Sequence, residues 1–160
     1  MSKAKDKVEA RHQVKSGTYL VVADGSEEFD LALKYAGQMA VANHCHVGIL
    51  YVIENSEFQQ WGNVEARMRR EQYAEAEERL NYASFQLSES GYGTPSFYVE
   101  EGGRMAALSR VIENDPNIRI LVLGASTHSG GAGPLVSHFT GKGLPSLRVP
   151  IMIVPEHLEV

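Results

Sequence analysis

Apolar residues in this chain fall into two patterns: short unbroken runs, and longer stretches that repeat every three or four positions. Tyr19-Leu20-Val21-Val22-Ala23 is the first unbroken run, closed by the turn residues Asp24-Gly25-Ser26. Its length, its β-branched content and that turn predict a buried strand. Phe29, Ala32, Leu33, Ala36, Met39 and Ala40 then recur at helical spacing, with Ser26 as N-cap and Glu27 and Glu28 in the first turn. A second buried strand is predicted over residues 47–53. From about Trp61 a long helix follows, with Val64, Met68, Tyr73, Ala76, Leu80, Ala83 and Leu87 inward and a change of phase near Gln72. Its outer face alternates in sign, with Glu65/Arg69, Arg67/Glu71 and Glu75/Arg79 as i,i+4 pairs, and reads as a solvated surface.

Residues 91–95 break that helix, and residues 96–99 predict a more polar third strand at a sheet edge. After Gly102-Gly103 a helix buries Met105, Leu108, Val111 and Ile112, and Asn114-Asp115-Pro116 stops it. Residues 118–123 form the fourth strand, with Arg119 its one polar member. The glycine-rich segment GASTHSGGAGP follows, then a short helix over residues 134–140, a second loop and a last strand over residues 149–154. Strict alternation of strands and helices implies a parallel sheet with helices on both faces, an α/β fold in three layers. Residues 1–17 are polar and mixed in charge, and read as a flexible arm before one domain over residues 18–160.

In such a sheet, ligands bind beyond the carboxyl ends of the strands, where the strand order reverses. Two loops fit that place: Ala23-Asp24-Gly25-Ser26 after the first strand, and residues 124–133 after the fourth. The second holds Gly124, Gly130, Gly131 and Gly133 and runs into a helix start at Pro134. Glycines let backbone N–H groups approach an anion, although glycine content alone is equally that of a flexible connector. The loop has no Gly-Lys-Ser/Thr ending, and the first strand is not followed by Gly-x-Gly-x-x-Gly.

Composition narrows the classes further. The chain has 160 residues, 43% hydrophobic and 22% charged, with a formal net charge of −5. That balance argues against a broad nucleic-acid surface. Cys45 is the single cysteine, so no intrachain disulfide forms. The N-terminus carries no apolar signal segment and no run approaches transmembrane length, so the expectation is a cytoplasmic protein without membrane contact.

From Tyr19 to Pro155 the chain resembles the universal stress protein family. The resemblance rests on YLVVADGSEE, VGILYVIE, the long second helix, YVEEGGRMAALSRVIENDPNIRILVLGAS and the terminal VPIMIVP. More narrowly, EFQQW, NDPNIRILVLG and GPLVS resemble a bacterial, alphaproteobacterial subgroup. The resemblance implies a Rossmann-like five-stranded parallel sheet of order 3-2-1-4-5 and a homodimer through the last strand, whose edge residues are Val149, Ile151, Met152, Ile153 and Val154. It also implies ATP or AMP at the switch point between strands one and four. The residues assigned to that site are Ala23, Asp24, Gly25, Val52, Gly124, Ala125, Ser126, Thr127, Gly130, Gly131, Gly133 and Leu135. ATP-binding members carry Gly-x2-Gly-x9-Gly-Ser/Thr after the fourth strand. Here Asp24, Val52 and Gly124 match, Thr127 stands at the second glycine, the loop is shorter, and Pro134 follows Gly133 where a hydroxyl residue belongs. Pro134 removes both that hydroxyl and a backbone N–H.

Other chemistry is thinner. His44-Cys45-His46 lacks further ligands at metal spacing, so no metal is expected. Ser129, Ser137, His128 and His138 lie near the glycine loop without a nucleophile elbow or a group to orient a base. Phe58 and Trp61 read as a lid or an anchor at the start of the long helix rather than a stacking platform. The expectation is a regulatory, nucleotide-responsive or partner-binding domain without efficient catalysis. The alternatives are a weak ATP hydrolase or phosphotransferase using the same loop, which lacks the usual phosphoryl-transfer parts, and a ligand-free dimeric interaction module.

Overall fold

The computed structural model describes residues 17–54, 62–128 and 130–159. Most of the expected arm, together with Phe58, Trp61 and Ser129, lies outside the described residues. Five strands, β1 (Thr18–Ala23), β2 (His46–Ile53), β3 (Ser96–Glu101), β4 (Ile118–Ala125) and β5 (Ile151–Pro155), form one sheet of order β3-β2-β1-β4-β5. Every neighbouring pair is parallel. Four helices connect them: α1 (Glu27–Ala42), α2 (Gly62–Glu89), α3 (Arg104–Asn114) and α4 (Pro134–Phe139).

Alternate residues of each central strand feed two cores, as a parallel sheet covered on both faces requires. Leu20, Val22, Leu50, Leu121 and Leu123 pack under α3 and α4, against Leu108, Ile112 and Phe139. Tyr19, Val21, Ile49 and Val122 pack under α1 and α2, against Leu33, Ala36, Leu80 and Leu87. The sheet order and the helices on both faces agree with the architecture expected from the sequence.

Helix α2 differs from its sequence reading. Only Ala76, Leu80, Ala83 and Leu87 are buried, while Val64 is 51% exposed and Tyr73 43%. A helix of 28 residues is about 42 Å long, whereas β2, with 8 residues, spans about 26 Å. The helix is therefore longer than the strand it covers, and its buried stripe begins only at Ala76, past the phase change near Gln72. Arg67–Glu71 and Arg79–Glu75 form as expected, at 3.0 and 3.1 Å. Arg69 does not pair with Glu65; it reaches Glu101 at the end of β3, at 2.7 Å, and the Tyr73 hydroxyl donates to the same carboxylate at 2.5 Å.

Strand ends also move. β4 continues two residues past its expected end, because Gly124 and Ala125 stay in register with Val154 and Pro155 of β5. β5 begins at Ile151 rather than residue 149. Pro150 has no N–H to offer, but its carbonyl accepts from Leu121 N at 3.0 Å, and Val149 is buried in the core.

Candidate functional site

The turn after β1 is built by its own side chains. Asp24 Oδ1 accepts from Ser26 N at 3.0 Å and from Ser26 Oγ at 2.6 Å, and Ser26 Oγ accepts from Phe29 N at 3.3 Å, capping α1. This network fixes the exit of β1 and holds the Asp24 carboxylate at the surface. Gly25 has φ 76°, and the Arg79 guanidinium of α2 lies where its side chain would project.

At the end of β4, Gly124 has a different role from the one its place in the motif suggests. A Cβ there would stand 2.5 Å from the Glu28 carbonyl oxygen and 2.7 Å from its carbon, so the missing side chain lets β4 pack on the first turn of α1. The hydroxyls that follow are already engaged. Thr127 Oγ1 donates to Glu156 Oε1, and Ser126 Oγ approaches Glu156 Oε2 at 3.4 Å. His128 N donates to Ser126 Oγ at 3.2 Å. Hydrogen bonds from the Thr127 hydroxyl and main chain hold the Glu156 carboxyl below the usual range, helped by His128 and His157 nearby. Glu28 is lowered as well, first by its own backbone N–H and then by the hydroxyls of Ser26 and Ser126. The Glu28 and Glu156 carboxylates therefore stand beside the start of the glycine loop.

Asp24, Gly124, Gly133 and Leu135 meet in one crevice at the β1/β4 switch point, where the sequence placed a ligand. Its volume is about 30 Å³, room for a single water. The chain's own loop fills it: Ala132 packs on the core under α3 and α4, and Gly133 and Pro134 line the same space. Gly131 and Gly133 have φ 92° and 102°, conformations that favour glycine. Gly130 and Gly131 stand in open surroundings. Val52 and Ala125 lie in the core beneath, 8% and 7% exposed, rather than in the crevice wall. Ala23 and Gly25 border a separate cleft of about 400 Å³, shared with Ser26, Phe29, Glu75 and Arg79.

The discounted groups have structural positions. His46 Nε2 lies 3.1 Å from Thr18 Oγ1 and 3.2 Å from Ser96 Oγ, tying three strand starts together. The His138 ring packs edge-on against Phe139. Among the described residues no His, Cys, Asp and Glu group could hold a metal ion, and no helix is long and apolar enough to cross a membrane.

Glu156 and His157 were not found from sequence, although a carboxylate and an imidazole directly after VPIMIVP sit where the switch-point rule directs attention. Thr127, His157 and Glu156 do not make a proton relay. Thr127 Oγ1 lies 2.9 Å from His157 Nε2, and Glu156 approaches that same nitrogen at 3.4 Å. A relay needs the carboxylate on the opposite ring nitrogen.

The pattern of the Universal stress protein family matches residues 17–155. No curated protein sequence matches the chain. Among solved structures, universal stress protein UspA from Lactobacillus plantarum superposes with TM-score 0.73 at 17% identity, over 86% of this chain and 97% of that one. A universal stress protein in complex with cAMP gives TM-score 0.62 at 18% identity, over 86% and 96%. The universal stress protein from Archaeoglobus fulgidus in complex with dAMP gives TM-score 0.57 at 12% identity, over 86% and 96%. At these identities the likeness is one of fold.

Proposed function

The chain belongs to the universal stress protein family, and from that premise we propose that it is a cytoplasmic, non-catalytic regulatory domain that takes an adenine nucleotide at the β1/β4 crevice. The observation that carries this reading is the convergence of Asp24, Gly124 and Gly133 on one crevice. Similar folds hold cAMP and dAMP. Asp24 Oδ1 is spent on Ser26, which leaves Oδ2 to meet a ribose hydroxyl. Entry requires Ala132 to leave the core surface, and the open surroundings of Gly130 and Gly131 let the loop move without disturbing packing. The domain acts as a homodimer through β5, and EFQQW, NDPNIRILVLG and GPLVS favour a bacterial, alphaproteobacterial origin.

Calorimetric titration with adenosine, AMP, cAMP and ATP tests the reading. Adenosine and AMP are expected to bind, and Asp24→Ala to weaken both by about tenfold, the scale of one lost charge-assisted hydrogen bond. Mg²⁺-dependent ATP hydrolysis that disappears in Asp24→Ala would replace the regulatory reading with an enzymatic one. The 30 Å³ volume of the crevice favours a second reading, a ligand-free interaction module. Absence of binding by all four compounds, with no nucleotide released from denatured protein, would establish that alternative.

A further inference from the structure

The carboxylate of Glu156 occupies two hydroxyl donors at the start of the glycine loop. It accepts from Thr127 Oγ1, and Ser126 Oγ lies within 3.4 Å of its second oxygen. Its backbone N–H is tied to Ala125 O at 3.1 Å, so the side chain projects from the end of β5 onto the start of the glycine loop and is only 15% exposed. Glu28 faces Ser126 from α1, and Asp24 lines the neighbouring β1/β4 crevice. Of the cations nearby, His128 at 3.8 Å and His157 at 3.4 Å from Glu156 Oε1 are conditional, both with largely exposed rings, while Lys34 shares a cleft with Glu156 on the α1 side.

We propose that Glu156 is a specificity-determining residue, an internal anion that holds the Ser126 and Thr127 hydroxyls and excludes polyphosphates from the start of the glycine loop, next to the crevice. Each further phosphate brings negative charge towards Glu156 and Glu28 in a partly desolvated place, where charge repulsion is stronger than in bulk water. A nucleoside or monophosphate meets less of it. This selectivity rests on the nucleotide reading above, but the anion exclusion itself is a property of the loop and can be probed without any nucleoside.

The experiment follows backbone amide chemical shifts of the full chain during titration with pyrophosphate alone. Wild type, Glu156→Gln, Glu156→Asp and Glu113→Gln are compared. Gln keeps the shape and an acceptor for Thr127 while removing the charge; Asp keeps the charge. Glu113, an exposed residue near the end of α3 and remote from the crevice, controls for the change in net charge. Glu156→Gln is expected to bind pyrophosphate about tenfold or more tightly than wild type, the scale of one unit charge at close range, with shifts centred on Thr127 and His128. Glu156→Asp and Glu113→Gln are expected to match wild type. Equal affinity in wild type and Glu156→Gln, or an equal gain in Glu113→Gln, would overturn the proposal. Adenosine, which carries no phosphate, decides the nucleotide reading independently: if it binds no variant, that reading fails, while the pyrophosphate comparison still judges Glu156.

Discussion

A methyl group at Gly124 would be driven against main-chain atoms of Glu28, and no rotamer change can move a carbonyl aside. Gly124→Ala is therefore expected to cost about 1–3 kcal/mol of stability, the usual range for overpacking, read as a lower urea midpoint at unchanged slope. A variant as stable as wild type would show that β4 and α1 can separate at this point. The importance of Gly124 was legible from its place after the fourth strand, but its physical reason was not. Sequence offered backbone approach to an anion, whereas the structure shows approach of a helix to a strand. Asp24 and Ser26 were legible together, because an N-cap serine after a strand-closing aspartate carries its own local chemistry. Glu156 was not, since its meaning depends on the parallel pairing of β4 with β5, which brings residues 127 and 156 side by side.

Among the elements, strands buried on both faces were the most legible, because continuous apolar runs of five to eight residues have few other uses. Their ends depended on partners: β4 lengthens because β5 continues beside it. The inward face of α2 was misread over its first half, because helical spacing reports a stripe but not how far the sheet beneath extends. Arg148 is a further element-scale feature without a sequence pattern. Its guanidinium donates to Ile118 O at 3.2 Å and also to the carbonyls of Ile112 and Asp115. It thereby closes the end of α3, whose last carbonyls have no partner within the helix, and pins that end to the start of β4. Arg148→Ala is expected to destabilise the fold by about 1–3 kcal/mol, since three carbonyls, two of them on buried residues, lose a charged donor. Arg148→Lys should recover only part, because one ammonium cannot reproduce the planar fork. Urea unfolding measures both; full recovery in the lysine variant would mean that charge alone suffices.

At the scale of the whole molecule, the sheet has two edges, and they are protected differently. β3 ends in Glu100 and Glu101, which pair with Arg110 at 3.1 Å and Arg69 at 2.7 Å. Charges on an edge strand discourage pairing with another chain. β5 has no charged residue from Ile151 to Pro155, and Ile153 is 42% exposed while Val154 is 1% exposed. Val149 is likewise buried, so Ile151, Met152 and Ile153 are the residues left for a partner. An apolar strand edge of this kind is an aggregation hazard unless it is covered, and a second copy across a two-fold axis covers it with the same residues. Pro150 lacks an N–H, so pairing should centre on Met152. Wild type is therefore expected to sediment as a dimer and Ile153→Lys as a folded monomer, while Phe97→Lys on the β3 edge stays dimeric. Apolar exposure at Phe97, 45%, makes that comparison demanding. If Phe97→Lys dissociates the protein and Ile153→Lys does not, the β3 edge is the interface, and its acidic end is then a mark of specificity rather than of protection.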